Sequence, residues 1–464
     1  MTDIGQQQKT CERIASLVKE HGGRAFYVGG FVRDRVMAEL TGSGSETAKI
    51  PDIDIEVHGL KPDKLYEILG SIGEPLSFGS NFGIYSLKGS QIDVALPRRE
   101  RSVGVGHRDF EVDVDPFIGT EAAARRRDFT MNAMMEDVLS GEIVDYFGGK
   151  KDIARGIIRH VDPSSFPEDP LRVLRAAQFA ARLGFTVADE TVELMRGIDI
   201  SQLSMERIEG EMKKALLESE RPSVFFKVLR DCGKLNPWFE EIEETIGVRQ
   251  DPVYHPEGDV WKHTMEVLDR AEALRDQAEE PYGLMMLCLT HDLGKITTSE
   301  ESADGRIHAY GHEDAGPAIA QKLLDRVVSR KDIKKYVLDM IPIHMKPNMV
   351  AYSHSKEKVT NRMFDQAASP LDLVLFAMAD RPVMVGNENF YGDAEFLFER
   401  LRTYEEYMAR PHVMGHDLIM AGIDPDEDFS EILAYAHKLR LAGIPKDQAL
   451  KQTIRYAEQL RGQK

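Results

Sequence analysis

In the first 160 positions, some apolar residues recur with the helical period of about 3.6 residues and others with the strand period of two. Helical spacing predicts helices over residues 11–19, 31–40 and 62–69. Short apolar or alternating runs predict strands over residues 25–28, 53–57, 83–88 and 91–96. The last two strands flank Gly89-Ser90, which predicts a hairpin. Strands and helices mixed in this way indicate a small α/β head with a mixed sheet.

Helical periodicity dominates the chain from about Asp169 to its end. The acidic stretch 240–247 and the proline-containing segment 251–256 indicate a boundary near residue 247. We therefore predict an α+β protein in four parts. These are a head over residues 1–160, a helical neck over 161–247, a second helical unit over 248–387 and a helical tail over 388–464.

The composition is that of a soluble globular protein. The 464 residues are enough for roughly two to four domains, and 42% of them are hydrophobic. No apolar run has the length of a membrane span, and the N-terminus lacks the apolar core of a signal peptide. Cys11, Cys232 and Cys288 form no closely spaced pair, which suits a reducing compartment and gives no sign of a zinc site. We expect a cytoplasmic protein without a membrane partner.

The net charge of −19 argues against non-specific binding of nucleic acid by the surface as a whole. It leaves room for local basic tracks at residues 98–101, 125–127 and 172–182. Short basic clusters are usually solvated faces, but these lie beside the motifs described next.

Two glycines, Gly29 and Gly30, separate a predicted strand from a predicted helix. Glycine tolerates positive φ and has no side chain, so the backbone can approach a triphosphate, and the helix N-terminus favours phosphate oxygens. In the next strand Asp52 and Asp54 share one face, about 7 Å apart. Such a pair can hold Mg²⁺ for a nucleotide and activate a hydroxyl for in-line attack. Asp93 either completes an acidic trio or only caps its strand.

The segment Arg-Arg-Arg-Asp-Phe-Thr-Met-Asn at residues 125–132 combines guanidinium groups, which can bind phosphate, with side chains that accept hydrogen bonds. Arginine pairs bidentately with phosphate, while Asp128 and Asn132 could fix the arginines and bind sugar hydroxyls. On a helix these two residues would share a face. The alternative is a surface helix that begins at Asp128.

Asp169, Arg172 and Arg175 are spaced by three at the start of a predicted helix. Asp169 followed by proline is a strong start signal. An acceptor beside fork-shaped donors can also recognise the hydrogen-bonding edge of a base. The alternative is a helix cap with an ion pair one turn away.

Histidines and aspartates recur in the third predicted part. His291 and Asp292 lie at the end of an apolar helical stripe and should point inward. Together with His263 and Asp380 they suit a divalent metal. Three further histidines are candidate accessory groups, namely His255, His312 and His344.

The motifs Gly-Gly-x-x-Arg-Asp, Asp-x-Asp, Pro-Arg-Arg-Glu, Arg-Arg-Asp-Phe-Thr-x-Asn-Ala and Glu-Asp-Pro-Leu-Arg-x-x-Arg occur here in one order over residues 25–215. They resemble the bacterial class II tRNA nucleotidyltransferases and related poly(A) polymerases. The resemblance implies that the tRNA 3′ hydroxyl attacks the α-phosphate of CTP or ATP, with Mg²⁺ on Asp52 and Asp54. From its strand position we predict Asp93 as the third catalytic carboxylate. The resemblance also implies that Asp169 and Arg172 act as the template for the base. The predicted nucleotide-binding residues are Gly29, Gly30, Arg33, Asp34, Arg127, Asp128, Asn132, Asp169, Arg172 and Arg175.

The histidine set resembles the HD phosphohydrolase superfamily. The resemblance implies a divalent metal, Mg²⁺, Mn²⁺, Ni²⁺ or Co²⁺, on His263, His291, Asp292 and Asp380. It also implies phosphatase and 2′,3′-cyclic phosphodiesterase activity.

We therefore expect an enzyme, monomeric or homodimeric, that extends tRNA with CCA. The alternatives are a specialist that adds CC, A or poly(A), and an HD hydrolase whose head only binds nucleotide. A non-enzymatic RNA-binding protein is a poorer fit to the net charge.

Overall fold

The computed structural model describes residues 4–42, 53–77, 83–102, 110–381 and 390–462. Asp52 and the predicted boundary at residue 387 lie outside these ranges. The chain forms two compact units, Met1–Pro237 and Trp238–Lys464. The division into four parts stays a prediction.

The first unit begins with mixed strands and helices and continues with helices. Its elements are α1 (Ile4–Glu20), β1 (Arg24–Val28), α2 (Gly30–Thr41), β2 (Ile53–His58), α3 (Pro62–Gly70), β3 (Pro75–Ser77), β4 (Ile84–Leu87), β5 (Ile92–Ala95), β6 (Arg98–Ser102), β7 (Phe110–Val114), α4 (Thr120–Arg125), β8 (Met135–Asp137), β9 (Ile143–Val144), α5 (Gly149–Arg155), β10 (Ile157–Ile158), α6 (Leu171–Leu183), β11 (Thr186–Val187), α7 (Asp189–Arg196), α8 (Met205–Glu218) and α9 (Ser223–Asp231). Short 3-10 helices cover Thr130–Asn132 and Phe166–Glu168.

Seven of these strands form one sheet in the order β3-β4-β5-β2-β1-β8-β9. β2 and β5 are parallel, while β1 is antiparallel to β2 and to β8, so the sheet is mixed as predicted. The hairpin of β4 and β5 is also confirmed. On β2, Ile53 and Ile55 are buried and Asp54 between them is exposed, which confirms the predicted alternation. The sheet thus packs one face of β2 in the core and turns Asp54 to the other side.

The helical part of this unit packs α6 against α8 and α9. Its core includes Phe225 and Phe226, both fully buried. The structure starts α6 at Leu171, one residue later than the sequence predicts, and the Asp169 side chain accepts a hydrogen bond from the Leu171 N–H (3.1 Å).

A helix carrying both Asp128 and Asn132 was a wrong prediction. α4 ends at Arg125, and Phe129 is extended, with φ −128° and ψ 150°. The Asp128 carboxylate accepts the Phe129 N–H (2.8 Å), and Phe129 forms an isolated bridge with His160. These contacts compete with helical hydrogen bonding and turn the chain inward.

In the part of the second unit that the structure describes, helices predominate. Its elements are α10 (Glu240–Glu243), α11 (Val260–Arg275), α12 (Pro281–Thr290), α13 (Lys295–Thr298), β12 (Glu300–Glu301), β13 (Ile307–His308), α14 (His312–Val327), α15 (Lys331–Met340), α16 (Lys346–Tyr352), α17 (Glu357–Phe364), α18 (Pro370–Asp380), α19 (Phe390–Ala409), α20 (Gly415–Met420), α21 (Phe429–Leu441) and α22 (Lys446–Gly462).

The helices α11, α12 and α18 pack against one another. Asp259 caps α11 by accepting the Lys262 N–H (2.9 Å), and Ser369 caps α18 by accepting the Asp372 N–H (3.1 Å). A cap fixes the residue at which a helix begins, and the length of the helix then determines where its last residue lies. Asp380, the last residue of α18, therefore meets side chains of the neighbouring helices.

Among the described residues, every helix is too short or too polar to cross a membrane.

Candidate active sites

The first unit contains an open cavity of about 420 Å³, here called the arginine cavity. Seven arginines line it, an arrangement that attracts a highly charged anion. The described lining consists of Gly29, Gly30, Arg33, Asp54, Arg98, Arg126, Arg127, Asp128, Asn132, Asp169, Arg172, Arg175, Phe179 and Arg182. Nine of the ten predicted nucleotide-binding residues are in this set, and Asp34 lies outside it.

Gly29 lies between a cation and a carboxylate of this cavity. Its φ of 68° and ψ of −134° belong to a region that essentially only glycine adopts. A Cβ atom built on Gly29 would lie 3.5 Å from Arg127 Nη1 and 3.6 Å from Asp54 Oδ2. The missing side chain therefore leaves the space between these two groups to a ligand.

The acidic side of the cavity is formed in part by Asp54. Asp54 is the register partner of Asp93 on the parallel strand β5, and both side chains are exposed. The Ser86 hydroxyl donates to Asp93. Asp93 is outside the described lining of the cavity, and Asp52 is outside the described residues. The catalytic trio therefore stays a prediction.

Glu56, which the sequence analysis missed, anchors two arginines of the cavity. Its carboxylate contacts Arg126 Nη2 (3.1 Å), Arg127 Nη2 (3.3 Å) and His58 Nε2 (3.0 Å), and it is 1% exposed. Burial alone would raise the pKa of Glu56, but the His58 hydrogen bond and the two guanidinium charges lower it to about 2. The alternation Asp-Ile-Glu in β2 was the signal, since it places Glu56 on the face of Asp54.

We predict that Glu56→Gln lowers the free energy of unfolding by about 3 kcal/mol at pH 7, because the arginines lose their buried partner. The pKa of Glu56 is lower in the folded state than its ordinary 4.5, so its contribution is complete above pH 4.5. That contribution is lost as the pH falls towards about 2. Urea unfolding from pH 3 to 7 checks this, with the exposed Glu12→Gln as control. A stability difference from wild type that is the same at pH 3 and pH 7 would contradict the role of this carboxylate.

A hydrogen-bonded series crosses the cavity from α2 to α6. Arg33 Nη1 donates to Asn132 Oδ1 (3.1 Å), and Asn132 Nδ2 donates to Asp128 Oδ1 (3.1 Å). Arg175 Nε then donates to Asp128 Oδ2 (2.8 Å). Burial alone would raise the pKa of Asp128, but the Arg175 charge and the Asn132 hydrogen bond lower it. The predicted contact of Asp128 with Asn132 exists without the predicted helix.

Asp34 and Phe179 contact the arginines at the two ends of this hydrogen-bonded series. Asp34 Oδ1 accepts from Arg33 Nε (2.8 Å) outside the cavity lining. The Phe179 ring lies 5.1 Å from the Arg33 guanidinium carbon and 5.2 Å from that of Arg175. These contacts leave the two forks little freedom, which lowers the entropy cost of binding.

The predicted base-reading residues are each held by the protein itself. Asp169 accepts from Arg207 Nη2 at 2.9 and 3.1 Å. Arg172 donates to the backbone oxygens of Ser165 (2.8 Å) and Arg126 (2.7 Å). The ion pair of Asp169 is thus with Arg207 on α8, a partner that no local spacing in the sequence indicates.

The second unit contains a larger cavity of about 670 Å³, here called the histidine cavity. Six polar residues of its lining are His255, Asp292, Lys295, His312, Asn348 and Asp380. His263, His291 and His344 are fully buried and contact Asp292, as detailed next. The structure therefore brings the predicted metal ligands and accessory histidines together.

Four predicted ligand atoms converge in a first donor set. His263 Nε2 lies 3.0 Å from Asp380 Oδ1 and 3.7 Å from Asp292 Oδ2. His291 Nε2 lies 3.3 Å from Asp292 Oδ2 and 3.4 Å from Asp380 Oδ1. Ligands about 2.0–2.2 Å from one ion are about 2.8–3.6 Å apart at octahedral or tetrahedral angles. The donor set fits one divalent ion.

A second donor set shares Asp292 with the first. Its other oxygen, Oδ1, lies 3.5 Å from His312 Nε2 and 3.8 Å from His344 Nε2. The two histidine nitrogens are 3.2 Å apart. The carboxylate of Asp292 thus faces two groups of donors.

In all four histidines of the two donor sets, Nε2 faces the other donors, while Nδ1 lies within hydrogen-bond distance of an oxygen elsewhere in the protein. The Nδ1 atoms of His291, His312 and His344 lie 3.0, 2.8 and 2.6 Å from the backbone oxygen three residues earlier. His263 Nδ1 lies 2.7 Å from Glu257 Oε1. An Nδ1–H that donates leaves a lone pair on Nε2, which is the tautomer that binds a metal.

The charges of this cluster favour a cation among the rings. Burial alone would lower the pKa of His291, but Asp292 and Asp380 raise it to about 10. Burial and the His291 charge lower the pKa of His344 to about 4. The two carboxylates thus hold a proton on His291, and a divalent metal that binds this set can take the place of that proton.

Two further residues of this cluster were missed in the sequence. Lys295 Nζ lies 2.7 Å from Asp292 Oδ2 and donates to Gln250 (2.7 Å). Glu257 Oε1 accepts from His263 Nδ1 and lies 3.0 Å from His255 Nδ1. The signal for Lys295 was its place three residues after Asp292, whereas the contact of Glu257 arises from a loop that no periodicity describes.

We predict that Glu257→Gln weakens the binding of Co²⁺ or Ni²⁺ about 10- to 100-fold, because His263 loses the carboxylate that orients it. Calorimetric titration of the metal-free protein measures this, with the exposed Glu301→Gln as control. Equal affinity in wild type and Glu257→Gln would show that Glu257 does not position His263.

Three family models match the chain along its length. They are the Poly A polymerase head domain over residues 25–159, the probable RNA and SrmB- binding site of polymerase A over 184–246, and the HD domain over 260–382.

Similar curated proteins carry one name. The multifunctional CCA protein of Actinobacillus pleuropneumoniae serotype 5b is 36% identical over 330 residues, which cover 69% of this chain and 74% of the relative. The chain belongs to the multifunctional CCA protein family. The multifunctional CCA protein of Nitrosococcus oceani is 39% identical over 306 residues, 65% of this chain and 70% of the relative. The family and enzyme class predicted from the sequence are confirmed.

Solved structures share the fold of this multifunctional CCA family member. A CCA-adding enzyme in complex with ATP matches with a TM-score of 0.65 at 18% identity, covering 98% of this chain and 96% of that one. The Thermotoga maritima CCA-adding enzyme complexed with tRNA matches with 0.63 at 19% identity, over 98% and 96%. The Bacillus stearothermophilus enzyme in complex with CTP matches with 0.63 at 20% identity, over the whole of both chains.

Proposed function

We propose that this chain adds CCA to tRNA 3′ ends from CTP and ATP. The observation that carries the proposal is the arginine cavity, which joins a glycine turn, Asp54 and the pair Asp169 and Arg172 in one space. The names of the relatives support it. Since tRNA, CTP and ATP are cytoplasmic, so is the enzyme, as a monomer or homodimer.

Each part of the arginine cavity has a role in this reaction. The backbone of Gly29 and Gly30 and the Arg127 fork hold the triphosphate. Asp52 and Asp54 would hold Mg²⁺, which would neutralise phosphate charge and lower the pKa of the attacking hydroxyl. Asp93 is proposed to assist from the neighbouring strand. The 3′ oxygen of the tRNA forms a bond to the α-phosphorus, and the bond to pyrophosphate breaks.

The choice of base follows from donor and acceptor chemistry. Cytosine and adenine both present an exocyclic amine donor next to a ring nitrogen acceptor. Uracil and guanine present an acceptor next to an N–H donor. A carboxylate at Asp169 and a guanidinium at Arg172 complement the first pattern and oppose the second. One pair of side chains can therefore accept both CTP and ATP.

Extension assays on three tRNAs separate this proposal from its alternatives. With both nucleotides, tRNAs ending at the discriminator base, at C and at CC should all be completed to CCA. With CTP alone the first two should stop at CC, and with ATP alone only the third should gain A. Failure with one nucleotide indicates a CC- or A-adding specialist, and long A tails indicate a poly(A) polymerase.

We further propose that the histidine cavity is a metal-dependent phosphohydrolase site for nucleotide phosphates. The two donor sets that share Asp292 support this. Mg²⁺, Mn²⁺, Ni²⁺ or Co²⁺ bound there would polarise a phosphate and a water. Lys295 would hold a phosphate oxygen beside Asp292. Hydrolysis of adenosine 2′-phosphate and adenosine 2′,3′-cyclic phosphate with each metal tests the proposal, and no hydrolysis with any of them refutes it.

A further inference from the structure

The rim of the histidine cavity carries three exposed aromatic side chains from three separate segments. Tyr254, Tyr310 and Tyr352 line the cavity and are 68%, 82% and 84% exposed. Single exposed aromatics are ordinary, but three on the rim of one cavity form a patch that calls for a ligand.

Each tyrosine is placed by the segment that also carries a group of the metal cluster. Tyr254 directly precedes His255, and Tyr310 lies two residues before His312. Tyr352 is one helical turn after Asn348, whose Nδ2 lies 3.4 Å from Asp380 Oδ2. The three tyrosines therefore belong to segments that also carry groups of the metal cluster, and they line the same cavity as those groups.

Tyr310 also has an aromatic neighbour. The His308 ring stacks on it with centroids 5.0 Å apart and an interplanar angle of 13°. Tyr310 is still 82% exposed, so its ring remains open to a second flat group. A ring that already stacks on a neighbour loses less freedom when a second flat group stacks on it.

Two arginines of the same cavity, Arg249 and Arg306, pair with exposed carboxylates. Arg249 pairs with Glu301 (2.6 Å) and Arg306 with Asp304 (3.6 Å), and all four side chains are at least half exposed. Exposed ion pairs of this kind contribute little to stability, so a phosphate can replace the carboxylates as partner of the arginines. Flat rings beside replaceable cations are the features that bind single-stranded nucleic acid.

We propose that Tyr254, Tyr310 and Tyr352 form a stacking platform for the nucleobases next to the phosphate that the histidine cavity hydrolyses. This rests on the proposed hydrolase function. The platform makes the site prefer nucleotides and single-stranded RNA ends over phosphate esters that lack a base. Because every base has a flat face, stacking gives little preference among the four bases.

The test compares adenosine 2′-phosphate with glycerol 2-phosphate, a secondary phosphate ester that lacks a base. In the full-length metal-loaded protein, Tyr310→Ala should raise KM for the nucleotide about tenfold and leave kcat within about twofold. For glycerol 2-phosphate, the kcat and KM of Tyr310→Ala should equal those of wild type. Tyr310→Phe should behave as wild type with both substrates. Tyr254→Ala and Tyr352→Ala should act in the same direction. Met349→Ala, on α16 and 64% exposed, is the matched control.

Calorimetric titration with adenosine 2′-phosphate keeps the two proposals apart. Loss of affinity in the alanine variants without any hydrolysis by wild type would support the platform and refute the hydrolase. Equal affinity and equal KM in wild type and all three alanine variants would overturn the platform. So would an unchanged nucleotide KM with an altered oligomeric mass, because the patch would then be a protein contact.

Discussion

Replacing Asp54 with alanine should reduce tRNA extension about a thousandfold or more, with no change in stability. Asp54 is exposed on β2 and faces Arg127 across Gly29, so its removal leaves no buried hole. A carboxylate that binds the catalytic metal contributes several kcal/mol to the transition state, and each 1.36 kcal/mol is about tenfold in rate. Single-turnover extension of a tRNA ending at CC with ATP measures the loss.

Asp63→Ala is the matched control, since Asp63 is an exposed carboxylate of the same unit, on α3. It should extend tRNA as wild type does. Thermal unfolding should give the same midpoint for both variants. If Asp54→Ala retained a tenth of the wild-type rate, the assignment of Asp54 to the catalytic metal would be wrong.

Replacing His291 and Asp292 together with alanine should reduce phosphohydrolase activity below about 1% of wild type and leave extension unchanged. Both donor sets lose Asp292, and the first also loses His291. Without these ligands the metal is not held, and its activation of phosphate and water is lost. The residues of the arginine cavity all belong to the other compact unit.

The double variant removes buried polar groups and can unfold its unit, so a second measurement accompanies it. Chelation should abolish hydrolysis by the wild-type protein, and added Co²⁺ or Ni²⁺ should restore it without any change in circular dichroism. Hydrolysis that survives chelation would refute the metal site. Extension lost in a double variant whose circular dichroism matches wild type would show that the two activities are coupled.

The head and its nucleotide residues were predictable because their signals are local. Alternation in β2 placed Asp54 on the face away from the core, and glycines marked the turn before α2. The spacing of Asp128 and Asn132 predicted their contact correctly and the helix between them wrongly. A 3-10 turn held by backbone contacts with distant residues brings the same two side chains together.

What the sequence could not show are the partners that hold the site residues. Arg207 reaches Asp169 from a different helix, and Glu257 reaches His263 from a loop. Such contacts depend on how elements pack, and no period of the sequence encodes them. The same holds for the two donor sets that share Asp292. Its Oδ1 faces His312, the first residue of α14, and His344, which follows the 3-10 helix Ile341–Ile343, only because of how these elements pack.

The most direct test of the central claim is to sequence the 3′ ends of a tRNA transcript that lacks CCA after incubation with the purified protein, Mg²⁺, CTP and ATP. The account predicts that most molecules end in CCA and that extension stops there. Unextended ends, or tails of A without preceding C, would contradict it.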